Sequence, residues 1–311
     1  MITTFSHLPH PLLASFVRGY RMRRTARGDP HVRVPIAARP QVTMYFHFTP
    51  PSIVFEPRSA RKVDTPSPGL VIDKRTQRNF DLLPYGRPPG ILYFQIPPSN
   101  MLEQRVTENR NGGVVKAMIT GPLTHRRFDV LLLGPLEMFT VEFAPTALHA
   151  LFGIPMVELT DIALGVENLW GVAAARQLYD RLGAETTFAG RVAVIEEDLL
   201  KRVSSRNSDP IAAAATRLWR AGGTVRIDDL ARAAHLSSRQ FHRQFTHRVG
   251  VPPKIYARMV RLNVAIATKV AQPDVSWTYV AQCAGYFDEA HLDKDFRDLA
   301  DTSPSGFMAG N

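Results

Sequence analysis

The sequence predicts an α+β protein built in unlike halves: a β-rich, curled-sheet or barrel-like N-terminal domain with connector helices behind it, then an all-α C-terminal domain. Three observations carry this expectation. Residues 1 to about 145 alternate short apolar runs with Pro and Gly, as strands and turns do. From Ala147 onward apolar residues recur at spacings of 3 and 4, the helical period. The last hundred residues match themselves at an offset of about 50, so one helical unit occurs twice. With 311 residues, the chain is long enough for two hydrophobic cores.

In the first part, residues 42–48 form the clearest strand, with Val42, Met44, Phe46 and Phe48 on one face. Further strands are expected at 52–56, 70–73, 91–96, 128–133 and 138–143, joined by Pro-rich loops such as 84–90. Leu148, Leu151 and Phe152 write a helix stopped by Gly153, and two more helices are expected at about 172–182 and 188–203. Residues 204–208 are polar and aperiodic, which makes them the best linker in the chain. Asp209-Pro210 then opens a helix in cap and first-turn positions, and Gly222-Gly223 closes it.

Composition narrows the function. Charged residues make up 21% and hydrophobic ones 45%, ordinary values for a folded chain. The single cysteine, Cys283, excludes an intramolecular disulfide and any Cys-rich metal site, fits a reducing cytosol, and reads as a packed, inert thiol. No signal-peptide pattern is legible at the start, and the densest apolar stretch, 130–157, is broken by Pro135, Pro145 and Pro155 and carries Glu137 and Glu142, so no membrane span is expected. His7, His10, His47, His125 and His149 lack the His-x-His and Glu spacing of a cupin-like metal site. No phosphate loop or nucleophile elbow is present either. No catalytic residue, metal or cofactor is therefore expected. Tyr45, Phe46, Tyr93, Phe94, Phe139 and Phe143 either line an effector pocket or fill plain core. The excess of 38 Lys and Arg over 28 acids, a formal +10, favours a polyanionic partner.

Each repeat has a short helix with a small residue in its middle, a tight turn and a capped second helix. Ala231 and Leu236 correspond to Ala281 and Tyr286; after one gained residue, Phe241, Phe245, Pro253 and Tyr256 correspond to Leu292, Phe296, Pro304 and Phe307. Ala231 lets two steeply crossing helices approach closely, Ser237 and Asp288 cap the second helices, and the region of Ser276 starts the first helix of the second unit. The joining helix, about 253–271, places Ile255, Met259, Leu262, Ile266 and Val270 inward. At about 1.5 Å per residue it is roughly 28 Å long, enough to hold two recognition helices for adjacent major-groove segments about 34 Å apart.

These residues resemble the AraC/XylS family of bacterial transcription regulators over about 210–308. The resemblance rests on Leu230-Ala231, the run Leu236 to Phe245, Gly250 to Tyr256, Arg261-Leu262, Val280-Ala281, Gly285 to Leu292, Phe296 and Ser303-Pro304. Gly134-Pro135, Phe143 to Pro145 and Leu159 to Asp161 are similar to sensor domains found ahead of such units. The resemblance implies that Arg239, His242 and Arg243 read bases while Ser238 and Thr246 meet the backbone. The second helix presents Glu289, Ala290, His291, Asp293 and Lys294, with Asp295 behind them. Residues 210–272 carry 11 basic against 2 acidic side chains and 273–311 carry 2 against 7, a split of +9 and −5, so phosphate binding is expected mainly from the first unit.

The expected organisation is a β-rich sensing or dimerisation domain over 1–145, a helical connector and linker over 146–208, and a double helix-turn-helix domain over 209–311. The expected function is a cytoplasmic, sequence-specific regulator that is not an enzyme. Its partners are double-stranded DNA in the major groove, RNA polymerase, a second copy of the chain as a homodimer, and a small-molecule effector of unassigned identity; no membrane is among them. A barrel enzyme fused to a DNA-binding module and a constitutive, effector-free DNA-binding protein are the alternatives.

Overall fold

The computed structural model describes residues 2–25, 32–35, 37–48, 53–57, 117–125, 128–132, 137–161, 163–203 and 209–309. The strands expected at 70–73 and 91–96, the aromatic residues Tyr93 and Phe94, and the linker at 204–208 lie outside them.

Among the described residues nine strands form two antiparallel sheets: β1 (Ile2–His7), β2 (Val17–Thr25), β3 (Val32–Pro35), β4 (Val42–His47), β5 (Ile53–Pro57), β6 (Ala117–Thr120), β7 (Phe128–Leu132), β8 (Glu137–Phe143) and β9 (Ala163–Gly165). The larger sheet runs β1-β2-β8-β4-β6-β9 and the smaller β3-β7-β5. Among the described residues the larger sheet stays open, ending at β1 and β9.

Strand β4 carries Val42, Met44 and Phe46 into the core as expected, facing Ile119, Phe139, Val141 and Phe143. Its other face is also closed off: Tyr45 is fully buried and its hydroxyl accepts a 3.0 Å bond from Arg39. Phe46, Phe139 and Phe143 are thus packed as core. Strand β2 escapes the apolar pattern because four of its nine residues are Arg. It forms through cross-strand pairing with β8, in which Arg21 meets Glu142 at 2.9 Å and Arg24 meets Glu137 at 3.0 Å while Tyr20 and Met22 point inward.

Four helices follow: α1 (Ala147–Phe152), α2 (Glu167–Trp170), α3 (Val172–Ala184) and α4 (Phe188–Leu200). Leu148, Leu178, Leu182, Ile195 and Leu199 bury against the sheet's apolar face. Arg191 on α4 is 4% exposed. It reaches across to β8, donating to Glu137 at 2.6 Å and, through Nε, to the Leu182 carbonyl at 3.0 Å, with its guanidinium 3.8 Å from the Phe48 ring. Burial pushes the Glu137 carboxyl up, but the Arg191 and Arg24 charges outweigh that and hold it below its ordinary range.

The C-terminal region is helical: α5 (Pro210–Arg220), α6 (Ile227–Ala233), α7 (Ser238–Val249), α8 (Pro253–Ala271), α9 (Trp277–Cys283), α10 (Glu289–Ala300) and α11 (Pro304–Ala309). Asp209 caps α5 and pairs with Arg248 at the end of α7 at 2.7 Å. One core unites Leu230, Phe241, Phe245, Met259, Leu262, Val280, Leu292 and Phe296. Cys283 corrects the expectation of a packed thiol: it is exposed. Helix α9 buries Val280 and Ala281, its C-cap Ala284 is buried too, and at 100° per residue Cys283 falls outside that arc. Among the described residues no helix is long and apolar enough to cross a membrane.

Among the described residues, the contacts between the two halves include these three. Ala37 and Ala38 join the helical core, and both peptide groups of Ala38 pair with it: its N–H donates to the Leu299 carbonyl at 2.8 Å, and Asn263 donates to its carbonyl at 2.9 Å. Arg18 lies 3.9 Å over the Trp219 ring. The third contact involves the end of α7.

Candidate nucleic-acid interface

The two helical units turn alike. Leu236 N donates to the Ala231 carbonyl at 3.1 Å, and Tyr286 N to the Ala281 carbonyl at 2.9 Å. Each turn needs one left-handed residue just before, His235 with φ 54° in the first and Gly285 with φ 73° in the second. Helix α7 begins in a reciprocal cap, Gln240 N donating to Ser237 Oγ at 3.3 Å while Ser237 N donates to the Gln240 side chain at 3.2 Å. Ser276 caps α9 by accepting from Tyr279 N at 3.1 Å, and Asp288 caps α10 by accepting from His291 N at 2.7 Å.

Helix α7 is polarised. Phe241, Phe245 and Val249 are fully buried, while Ser238, Arg239, His242 and Arg243 are exposed. Thr246 is half-buried and donates to the His242 carbonyl at 2.8 Å. Arg239, Gln240, His242, Arg243, Thr246 and His247 line one cleft of about 750 Å³, whose far side is Val157 from a short 3-10 helix, Met156–Leu159. His247 was not among the sequence candidates, although it lies four residues after Arg243 and so shares its face. Val157 carried no sequence signal, since it reaches this place only through the packing of the two halves.

That packing is close. Thr160 Oγ1 donates to the Gly250 carbonyl at 2.7 Å. Gly250 ends α7 with φ 95°, and a side-chain carbon there would sit 2.8 Å from the Met156 carbonyl oxygen and 2.9 Å from Thr160 Oγ1. The His149 and His247 rings meet edge to face at 5.1 Å.

Helix α10 differs. Ala290 and Lys294 are exposed. Glu289 is exposed and accepts from the Thr278 hydroxyl at 2.9 Å. His291 is half-buried, its ring edge-on to Tyr286 at 5.2 Å. Asp293 pairs with Arg297 at 2.5 Å. Asp295, counted in the acidic surplus of the second unit, is 1% exposed and belongs to the interior. It accepts from Arg258 at 2.8 Å and from the Tyr286 hydroxyl at 3.1 Å, and Arg258 also holds Asp298 at 2.5 Å. Burial works against the Arg258 charge, but these two carboxylates outweigh it and raise its pKa. Burial, then the Asp295 charge, pushes the Tyr286 hydroxyl up. Of the second unit's acids, Asp293, Asp295 and Asp298 are therefore held in ion pairs.

Among the described residues no three His, Cys, Asp or Glu side chains gather as a metal set.

Residues 230–310 match the family model of a helix-turn-helix domain. Residues 5–164 match that of a domain of unknown function, DUF6597. A search of the curated proteins finds no match. Among solved structures, the chain aligns with ToxT from Vibrio cholerae O395 at 8% identity and a TM-score of 0.40, covering 99% of this chain and 97% of that one. It also aligns with ToxT from Vibrio cholerae O395 bound to (E)-4-(8-methylnaphthalen-1-yl)but-3-enoic acid, at 10% identity and a TM-score of 0.42, covering 99% and 98%.

Proposed function

The chain belongs to the AraC/XylS family of transcription regulators and joins a DUF6597 domain to its helix-turn-helix region, and on that premise we propose that it binds specific DNA sites mainly through α7. The single observation that carries this reading is the solvent face of α7. Arg239, His242, Arg243 and His247 are presented there together while Phe241, Phe245 and Val249 lock the opposite face. An arginine fork holds guanine O6 and N7 together, which suits Arg239 and Arg243 to base reading. Ser238 and Thr246 flank them at backbone-contacting positions. The chain works in the cytoplasm on this reading and carries out no catalysis.

The same cleft supplies a mechanism. The major groove is about 12 Å wide and encloses a recognition helix between two phosphate walls. Val157 occupies one flank of α7, so the groove wall and the Met156–Leu159 turn claim the same space. Binding then requires the Thr160–Gly250 contact to open. An effector, a second copy of the chain or RNA polymerase acts by shifting the population toward the open arrangement.

Selecting bound duplexes from a random pool, then titrating the winner against salt, tests the reading. With six or more phosphate contacts, log affinity falls against log salt with a slope of about −5 or steeper. Arg243→Ala loses about 1 to 3 kcal/mol on the selected site and relaxes one base position. A flat salt response, or an Arg243→Ala variant with unchanged affinity and preference, removes the claim.

A further inference from the structure

Phe287 is 92% exposed, the most exposed of the large hydrophobic side chains among the described residues. It is the residue gained in the second unit, standing just before Asp288, the cap of α10. The leading edge of the second recognition helix therefore opens with a bare aromatic ring.

The acids that surround it are held in local bonds, though Asp288 and Glu289 keep their charge. Asp288 is taken by the His291 N–H, Glu289 by Thr278, Asp293 by Arg297, and Asp295 and Asp298 by Arg258. His291 leans on Tyr286. Among the described residues of this edge, Phe287, Ala290 and Lys294 are exposed and enter none of these bonds. In the repeat, where Leu292 matches Phe241, Ala290 takes the place of Arg239 and Lys294 that of Arg243. Lys294 offers a cation to the phosphates, and Phe287 and Ala290 offer apolar contact beside the exposed carboxylates of Asp288 and Glu289.

The floor of the major groove offers one apolar group, the C5-methyl of thymine, and Ala and Phe are side chains that meet it. We propose that the second unit selects its half-site by contact of Phe287 and Ala290 with thymine methyl groups, while the first unit reads base edges through arginine. The proposal rests on the DNA-binding reading above and assigns a specificity that reading leaves open.

Deoxyuridine tests this cleanly, because it removes the methyl and leaves every hydrogen-bonding group of thymine in place. The full-length chain is titrated against its selected duplex, against the same duplex with deoxyuridine in the half-site of the second unit, and against one with deoxyuridine only in the flanks. The expected loss is about 4-fold per contacted methyl, from ~0.8 kcal/mol for a buried carbon group, with no loss from the flanks. Phe287→Ala, whose exposed side chain makes it safe for folding, binds the thymine duplex correspondingly weaker and no longer distinguishes the two duplexes. Equal affinity of the unaltered chain for both, full sensitivity retained in Phe287→Ala, or a selected half-site without thymine each overturns the proposal. So does a Phe287→Ala variant that keeps DNA affinity but loses polymerase-dependent transcription, which would assign the ring to a protein partner. Failure of the unaltered chain to bind any duplex instead removes the underlying reading.

Discussion

Thr160→Val isolates the contact that holds α7 against the N-terminal half. The substitution keeps size and branching and deletes the hydroxyl that donates to the Gly250 carbonyl at 2.7 Å. Gly250 is buried in the closed arrangement, so its carbonyl is left there without that donor, whereas in an open arrangement water reaches it. The cost therefore falls on the closed state alone and amounts to about 1 to 1.4 kcal/mol. If DNA binds only the open state and the closed one predominates, the apparent dissociation constant falls by the same factor, about 5- to 10-fold. Fluorescence anisotropy on the selected duplex, with and without the substitution and at two salt concentrations, measures this. The salt slope should stay the same, because no phosphate contact has changed. A variant that melts normally yet binds DNA no better, or more weakly, refutes the idea that this contact competes with the duplex.

Other outcomes follow from the ion pairs. Asp295→Asn removes a carboxylate 1% exposed from between Arg258 and Tyr286; because Arg258 keeps Asp298, the loss should be about 2 to 3 kcal/mol rather than the ~3 to 5 of a fully orphaned buried partner. Asp293→Asn, two residues away but paired with Arg297 at the surface, should cost less than about 0.5 kcal/mol, and equal melting temperatures for the two variants would show that burial does not govern these pairs. Glu137 has a folded-state pKa below its ordinary 4.5, so its contribution to stability is complete above about that pH and is lost as pH falls through the folded value. Melting temperature should accordingly drop below about pH 4.5, and drop less steeply in Glu137→Gln; parallel curves would detach Arg191 and Arg24 from this effect.

The helical half was legible because its determinants are local. Pro210 after Asp209, the Ser237 and Gln240 cap, and the inward Phe241, Phe245, Leu292 and Phe296 are all decided within one or two turns. The sheet was half legible for the same reason. Strand β4 announces itself by alternating apolar residues, but in β2 the charges of Arg21 and Arg24 are matched only by Glu142 and Glu137, more than a hundred residues later. Asp295 looked like a surface acid because its partners Arg258 and Tyr286 sit on other elements, and no spacing on α10 marks it as buried. Cys283 was misjudged because a short helix gives too few positions to fix its inner face from sequence. The cleft at α7 was legible on one side only. The arginines follow from helical spacing, whereas Val157 and Thr160 enter through the assembly of two halves that no local pattern encodes.

Ala38 bears on modularity. Its two peptide groups serve Leu299 and Asn263, and its methyl fills part of the helical core. A fragment begun at residue 209 would thus be a body with a piece missing: the Leu299 carbonyl at the end of α10 would lose a donor, the Asn263 amide on α8 would lose one of its two acceptors, and a small apolar socket would open to water. Grafting this DNA-reading half onto a foreign sensor would transplant the same defect. The natural unit of exchange is the helical half together with the Ala37-Ala38 plug that completes it.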